Sequence, residues 1–204
     1  MKIVVIGGTG TIGSEVVSLL QKEHDVITVG RTRGDYQVDI EDKASIENLF
    51  KEIGTVDGVI STSGDGALGS LTDLTDENLD LALNSKLKGQ INVIRTGVHS
   101  VKENGFIIIT TGTSSHGVMP GASSISMATA GLNGYVRAVK NESFNGIKIN
   151  AVSPGFVKET AEMMQLDIPN TISAHDTARV YKMVMDSNES GIIAEVPEYI
   201  NSEQ

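Results

Sequence analysis

Short, strongly apolar runs alternate along the chain with longer stretches in which apolar residues recur at helical spacing. The runs occupy residues 3–6, 25–29, 57–61, 105–110, 147–152 and 191–196. Continuous apolar runs of this length are typical of strands that a parallel sheet buries on both faces. The helical spacing predicts amphipathic helices at residues 11–23, 44–50, 76–98, 126–144 and 174–185.

Two of the predicted helices carry capping signals. Asp42 or Ser45 is placed to cap the second helix, and Thr75 opens the third. Because helices separate successive strands, right-handed crossovers should wind the strands into a parallel sheet with helices on both faces. The sequence therefore predicts an α/β fold with a doubly wound parallel sheet of about seven strands, in a single domain over residues 1–204.

Ligands of such sheets bind beyond the carboxyl ends of the strands. Small, polar or glycine-rich residues occupy the predicted strand ends at residues 7–13, 30–31, 61–64, 110–115 and 153–155. We expect these ends to meet in one binding site. Ser61 and Gly64 belong to it on this ground.

The first strand ends in a glycine-rich turn in which Gly7, Gly10 and Gly13 alternate with pairs of other residues. Gly7 permits a tight turn, Gly10 lets backbone N–H groups approach a pyrophosphate, and Gly13 lets the helix pack close to the strand. An ordinary strand–helix connection is the alternative. The turn predicts a dinucleotide site that also includes the intervening residues Thr9, Thr11 and Ile12.

The end of the second strand predicts which dinucleotide is bound. An acidic residue there pairs with the ribose 2′-hydroxyl of NAD, whereas an arginine accommodates the 2′-phosphate of NADP. Arg31 and Thr32 occupy this position, and no acid follows until Asp35. We therefore expect NADP(H) rather than NAD(H), with a solvated loop arginine as the alternative.

Asp39 and Ile40 complete the predicted cofactor site. Asp39 precedes Ile40 at the next strand end and is placed to accept a hydrogen bond from the adenine amino group. A turn or helix-capping role for Asp39 is the alternative.

Composition and charge narrow the class of partner. The net charge of −10 argues against nucleic acid or an anionic membrane, because both favour a basic face. The chain has no Cys and therefore no disulfide or thiolate metal site, and no metal is predicted. With no apolar run of membrane-spanning length and no signal peptide before the first strand, we expect a cytosolic protein that acts on a small molecule.

Three motifs together resemble the short-chain dehydrogenase/reductase family over nearly the full chain. They are the glycine turn at residues 7–13, the strand and turn at residues 57–64, and Asn-Ala-Val-Ser-Pro-Gly at residues 150–155. The resemblance implies a Rossmann fold and NAD(P)-dependent oxidoreductase activity. It also implies that Asn84 supports the active site and that Pro154 and Gly155 lie against the nicotinamide.

The resemblance further implies a homodimer or homotetramer. In such an assembly the helices at residues 76–98 and 126–144 would pack against their copies in a second subunit. The leucines at positions 79, 83 and 87 are equally typical of any helix that faces a core.

The chain departs from the family pattern at its catalytic residues. The family uses a Ser and a Tyr-x-x-x-Lys, in which the Tyr transfers the proton and the Lys lowers its pKa. The Tyr and Lys positions fall on Ile125 and Thr129, the Ser position falls near Gly112, and the sequence contains no Tyr-x-x-x-Lys. The glycine spacing is also that of atypical branches, so the chain resembles a small atypical member.

Other polar residues are candidates for the lost functions. Thr111, Thr113, Ser114 and His116 follow the central strand and are placed to polarise a substrate oxygen, although a loop His is often simply solvated. Lys88 lies one helical turn beyond Asn84, so it either reaches the vacated lysine site or is solvated.

The sequence thus predicts an NADP-preferring oxidoreductase that acts on an unknown carbonyl or alcohol substrate through a non-standard catalytic site. Hydride transfer needs a positioned nicotinamide, and the binding turns for it are present. A non-catalytic NADP(H)-binding sensor or regulator is the alternative, because all three catalytic positions are replaced together.

Overall fold

A computed structural model describes residues 1–116, 119–142 and 144–202. Seven strands, all paired in parallel, form one sheet in the order β3-β2-β1-β4-β5-β6-β7. The predicted doubly wound α/β fold is confirmed. The strands are β1 Lys2–Ile6, β2 Asp25–Gly30, β3 Tyr36–Gln37, β4 Val56–Ser61, β5 Val101–Thr110, β6 Lys148–Ser153 and β7 Ile193–Glu195.

Helices connect the strands and cover both faces of the sheet. They are α1 Thr11–Leu20, α2 Lys43–Ile53, α3 Asp76–Leu81, α4 Gln90–Gly97, α5 Ser123–Val139, α6 Lys158–Met163, α7 Ala174–Asp186 and α8 Val196–Ser202. A π-helical segment, Ala82–Gly89, joins α3 to α4. Short 3₁₀ turns cover Thr113–His116 and Lys140–Glu142.

Two apolar layers sandwich the sheet. Val4 and Ile6 of β1 face the layer that includes α2, α4 and α5, while Ile3 and Val5 face the layer that includes α1 and α7. Successive side chains of a strand point to opposite faces, so a strand covered on both sides has no polar alternation. This is why β1 forms a continuous apolar run.

Several predicted boundaries shift in the structure. Helix α1 ends at Leu20 rather than at residue 23, and α5 runs from Ser123 to Val139 rather than over 126–144. Strand β7 is short because Val196 already begins α8. Helices α6 and α8 were not predicted. Residues 117–118 of the predicted loop 111–124 and residue 143 of the predicted helix lie outside the described residues.

The predicted leucine stripe of the third helix is interrupted. Leu83 is 37% exposed, whereas Ser85 and Lys86 are buried. A π turn has a different angular spacing from an α turn, and π segments occur frequently at functional sites. Within the segment Ala82–Gly89, Ser85 and Lys86 face the loop after β4, while Leu87 still packs against the core.

No helix in the described part of the chain is long and apolar enough to cross a membrane.

A buried hydrogen-bond chain links α7 to the ends of the central strands. Thr110 Oγ1 donates to the carbonyl oxygen of Ser61 at 2.7 Å and lies 2.5 Å from the Tyr181 hydroxyl. Burial raises the pKa of Tyr181, so its hydroxyl stays protonated and donates to Thr110.

We predict that Tyr181→Phe lowers the free energy of unfolding by about 1 kcal/mol, because one buried hydrogen bond is lost while Thr110 keeps its bond to Ser61. Urea titration should show a lower midpoint at an unchanged m value. Tyr135→Phe is the matched control, since no described residue hydrogen-bonds that hydroxyl, and an equal loss in both variants would contradict the assignment.

Candidate nucleotide-binding and active site

The glycine turn after β1 has the geometry that a dinucleotide site needs. Gly7 adopts φ +82°, which an L side chain rarely tolerates. A Cβ at Gly13 would lie 2.1 Å from the carbonyl oxygen of Gly7, so only glycine allows α1 to approach β1 this closely. Thr11 and Ile12 form the start of the helix between these two positions.

The N-terminus of α1 is free to bind an anion. Its N-cap is Gly10, no side chain caps it, and no acidic residue lies in its first turn. The first backbone N–H groups of a helix have no intrahelical acceptor, and the helix dipole is positive at this end. The arrangement fits a pyrophosphate, which would be held by the turn between Gly7 and Gly13.

A cleft of about 280 Å³ opens beside this turn and gathers most of the predicted cofactor residues. It lies at the carboxyl ends of β1, β2 and β4, where ligands of such sheets bind. The predicted residues that line it are Gly7, Thr9, Gly10, Arg31, Asp39, Ile40 and Gly64. Ser61 lies buried below it, and Thr32 is exposed next to Arg31.

Two arginines follow β2 beside the cleft. The Arg31 guanidinium is 63% exposed and lies 3.7–3.9 Å from carboxylate oxygens of Asp39, Glu41 and Asp65. Arg33 Nη2 donates to the carbonyl oxygen of Thr9 at 3.0 Å. Sequence reasoning gave Arg33 no role, because nothing local shows that the loop folds back onto the glycine turn.

Asp39 takes part in a turn in this structure. Its Oδ1 accepts a hydrogen bond from the backbone N–H of Glu41 at 3.0 Å, while Oδ2 faces Arg31. Asp42, rather than Ser45, caps α2 by accepting from the N–H of Ala44. The contact of Asp39 with adenine stays a prediction.

A polar layer lies beneath the carboxyl edge of the sheet. Ser61 Oγ, Thr111 Oγ1 and Ser153 Oγ are buried without a hydrogen-bond partner among the described residues. Gln90 Nε2 donates to the carbonyl oxygen of Ser63 at 2.6 Å and so holds the loop after β4. Because Thr111 is only 2% exposed, its predicted contact with substrate would require access to this layer.

Thr113 and Ser114 lie at the end where the resemblance places the nicotinamide. The backbone N–H of Thr113 donates to the carbonyl oxygen of Pro154 at 3.0 Å. A Cβ at Gly155 would lie 3.7 Å from Thr113 Oγ1, so nothing separates the two residues. Ser114 Oγ lies 3.3 Å from Thr129 Oγ1.

The vacated catalytic positions are neighbours. A Cβ at Gly112 would be 3.4 Å from Thr129 Cγ2, so the family's Ser and Lys positions are in contact here. Thr129 Oγ1 also lies 3.0 Å from the carbonyl oxygen of Ile125 and 3.2 Å from that of Ser126. The Thr129 hydroxyl thus hydrogen-bonds to the backbone of its own helix, and the residue carries no positive charge.

His116 is paired with a carboxylate. Its Nε2 lies 2.6 Å from Glu195 Oε1, at the end of β7. A carboxylate on one imidazole nitrogen fixes the tautomer and orientation of the ring. Glu195 was not a candidate in the sequence, because it lies far along the chain and follows no motif.

Of the residues around Asn84, some lie at the surface and others are buried. Asn84 and Lys88 are exposed, whereas Ser85 lines the cleft and Lys86 is buried. Ser85 Oγ accepts a hydrogen bond from the backbone N–H of Asp65 at 3.0 Å. The supporting role of Asn84 stays a prediction, and Lys86 is the lysine of this segment that faces inward.

A second cleft, of about 670 Å³, lies at the opposite edge of the sheet. Its walls come from α2 and from the C-terminal ends of α4 and α5, and the first residues of β6 form part of its floor. It contains none of the predicted site residues, so its larger volume does not make it the candidate site.

A doubly wound sheet with a glycine turn, an uncapped helix N-terminus and a cleft at the strand ends defines a dinucleotide-binding protein of the Rossmann class. The family model described as enoyl-(acyl carrier protein) reductase matches residues 12–194. The chain therefore belongs to the short-chain dehydrogenase/reductase family.

Individual relatives cover most of the fold. The crystal structure of the protein lin1944 from Listeria innocua matches with a TM-score of 0.92 and 32% identity, covering 96% of this chain and 99% of that one. A small-chain dehydrogenase solved in complex with NADPH matches with a TM-score of 0.85 and 25% identity, covering 96% of this chain and 95% of that one.

A curated relative from Streptomyces virginiae, provisionally named the ketoacyl reductase of monensin polyketide synthase, is 31% identical over 201 residues. The alignment covers 85% of this chain and 76% of that protein. Several other curated relatives are matched over about half of their own length.

We predict that Gly10→Asp weakens NADPH binding by about tenfold or more, because a carboxylate at the N-cap occupies and neutralises the anion-binding end of α1. Stability should be unchanged or slightly higher, since Asp is a good N-cap. Fluorescence titration with NADPH measures the effect.

Gly10→Asn is the matched control, because it caps the helix without adding a charge and should lose less affinity. Equal affinity in wild type and both variants would show that phosphate does not bind at this helix.

Proposed function

We propose that the protein is an NADP-preferring oxidoreductase that interconverts a carbonyl compound and an alcohol. The observation that supports this proposal most strongly is the uncapped N-terminus of α1, which faces the same cleft as Arg31. A helix N-terminus suits a pyrophosphate, and an arginine at the end of the second strand suits a 2′-phosphate. When bound, the cofactor would supply the hydride.

Two relatives support the cofactor and the substrate class. One structural neighbour was solved with NADPH, and the 3-oxoacyl-[acyl-carrier-protein] reductase FabG of Rickettsia typhi is 24% identical over 172 residues. Both fit a reductase that uses NADPH on a carbonyl group. Thr113 lies beside Gly155, Ser114 beside Thr129, and His116 beside Glu195 at the end of β7. These positions suit hydrogen bonding to a substrate oxygen.

We predict that Arg31→Ala weakens NADPH binding much more than NADH binding. Loss of a charge-assisted hydrogen bond costs about 1.5–3 kcal/mol, or roughly 10- to 100-fold in Kd. Fluorescence titration with each nucleotide gives the ratio of the two dissociation constants.

Arg95→Ala is the matched control, because Arg95 lines the second cleft and not the nucleotide cleft. If wild type bound NADH as tightly as NADPH, the proposed preference would be wrong. If neither nucleotide bound, the proposed function itself would fail.

A non-catalytic NADP(H) sensor is the second candidate. The observation in its favour is that Gly112, Ile125 and Thr129 replace all three family catalytic residues, and that Thr129 bonds to its own helix. Such a protein would bind NADPH without oxidising it.

Turnover distinguishes the two candidates. We predict that NADPH is oxidised in the presence of at least one aldehyde, ketone or quinone, and that His116→Ala lowers kcat by about tenfold or more at an unchanged NADPH Kd. NADPH binding without oxidation by any carbonyl compound would favour the sensor, and an unaltered kcat would remove His116 from the mechanism.

A homo-oligomer is part of the proposal. Leu83 and Met127, on the helices that the resemblance places at a subunit interface, are 37% and 42% exposed. The cytosolic location, the small-molecule substrate and the absence of nucleic-acid and membrane partners stay predictions.

A further inference from the structure

Lys86 is the one charged side chain in the buried core of the described residues, with 9% of its surface exposed. Lys86 lies in the π-helical segment Ala82–Gly89, in which Ser85 and Lys86 are buried and Leu83 is partly exposed. π turns occur frequently at functional sites. The local helix geometry therefore holds a lysine inside the protein where an apolar residue would be expected.

The side chain of Lys86 lies against the loop that follows β4. Gly64 has φ +114°, and a Cβ there would be 3.0 Å from Lys86 Cδ and 3.1 Å from Lys86 Cα. Ser85 accepts a hydrogen bond from Asp65 in the same loop. Gly64, Asp65 and Ser85 all line the nucleotide cleft, so the lysine stem packs directly behind residues of the cleft wall.

No described residue forms a hydrogen bond or ion pair with the Lys86 ammonium. Burial lowers the pKa of Lys86 to about 8, and the charge of Asp65 partly offsets this effect. Lys86 Nζ is not among the fully buried polar atoms that lack a partner, so the stem is buried while the ammonium keeps access to solvent or to a ligand. An amine with this pKa exchanges protons readily near neutral pH.

The loop that covers Lys86 also contacts the vacated tyrosine position. A Cβ at Gly66 would lie 2.6 Å from Ile125 Cγ1, two residues beyond the contact of Gly64 with Lys86. Lys86 and Ile125 therefore both contact the short segment formed by residues 64–66. Thr129, at the vacated lysine position, is one helical turn further along α5.

We propose that Lys86 is the proton donor of the reduction and supplies the cation that the absent Tyr-x-x-x-Lys pair would provide. This inference rests on the proposed oxidoreductase function. The substrate carbonyl carbon accepts a hydride from the reduced nicotinamide, and its oxygen accepts a proton from the Lys86 ammonium. The products are the alcohol, the oxidised nicotinamide and a neutral amine, which regains its proton from water.

Trace acetylation with acetic anhydride over a pH series, read by peptide mass spectrometry, tests Lys86 without any substrate. We expect a reactivity midpoint near pH 8 for Lys86. The exposed Lys88 is the reference lysine on the same segment. NADPH should protect Lys86 and not Lys88. A midpoint above pH 10, a lack of protection by NADPH or no labelling at any pH would overturn the inference.

Kinetics give the second readout. Lys86→Gln and Lys86→Met should each lower kcat for carbonyl reduction by about 100-fold or more, while Lys88→Gln leaves it unchanged. In wild type, kcat should fall for reduction and rise for alcohol oxidation as the pH rises through about 8, because the two directions need the charged and the neutral amine. Full activity in Lys86→Gln would overturn the inference.

Thermal unfolding separates this role from a structural one. The folded-state pKa of Lys86 lies below its ordinary value, so its burial disfavours the folded state below about pH 8, and this penalty disappears as the pH rises further. Lys86→Met should therefore have a Tm equal to or above that of wild type. A marked loss of Tm together with activity would assign Lys86 a structural role and overturn the inference.

The same samples distinguish failure of the inference from failure of the proposed function. If wild type binds neither NADPH nor NADH, the oxidoreductase proposal fails and the Lys86 inference fails with it. If NADPH binds and is oxidised but Lys86→Gln retains wild-type kcat, only the Lys86 inference fails.

Discussion

The site depends on how closely α1 and the loop after β4 approach the end of β1. A Cβ at Gly13 would lie 2.1 Å from the carbonyl oxygen of Gly7 and 2.6 Å from Thr62 Oγ1. Neither contact leaves room for a side chain, so packing requires glycine there. The same approach points the free end of α1 toward the cleft and brings Thr62 and Gly64 to its wall. One steric constraint thus determines both where the N-terminus of α1 points and which residues form this wall of the cleft.

Positive side chains cluster near the glycine turn and the cleft. The chain has a net charge of −10, yet Arg31 and Arg33 flank the glycine turn and Lys86 packs behind Gly64 of the cleft wall. The ion pairs of Arg31 are exposed and long, and such pairs contribute about 0–1 kcal/mol. They hold the guanidinium near the cleft without binding it tightly.

The sequence was sufficient to predict the sheet, because each buried strand is a continuous apolar run and each crossover has helical spacing. It was also sufficient for the glycine turn and for Arg31, whose positions follow from the strand ends. The π segment could not be predicted from the sequence. The leucines at positions 79, 83 and 87 have the same spacing whether the segment between them is α-helical or contains a π turn. Its inward face follows instead from contacts with Gly64 and with Ile40, which would lie 2.9 Å from a Cβ at Gly89.

Pairs of residues that are far apart in the chain were also beyond the sequence. His116 and Glu195 are 79 positions apart, and Arg33 reaches Thr9 across a whole strand and helix. No local pattern encodes such contacts, because they arise only when β2, β5 and β7 end at the same edge of the sheet. The sequence therefore offered His116 as a candidate but could not show the carboxylate that pairs with it.

The unpaired polar groups at this edge bear on whether the protein is an enzyme or a sensor. Ser61, Thr111 and Ser153 each bury a hydroxyl that has no hydrogen-bond partner among the described residues, and each such group costs about 1–3 kcal/mol. They lie at the ends of three adjacent strands, above two apolar layers that compensate for the cost. The resemblance places the nicotinamide itself against Pro154 and Gly155 at the end of β6, so a sensor that binds the whole dinucleotide would also reach these strand ends. NADPH turnover, rather than the buried hydroxyls, therefore decides between the two functions.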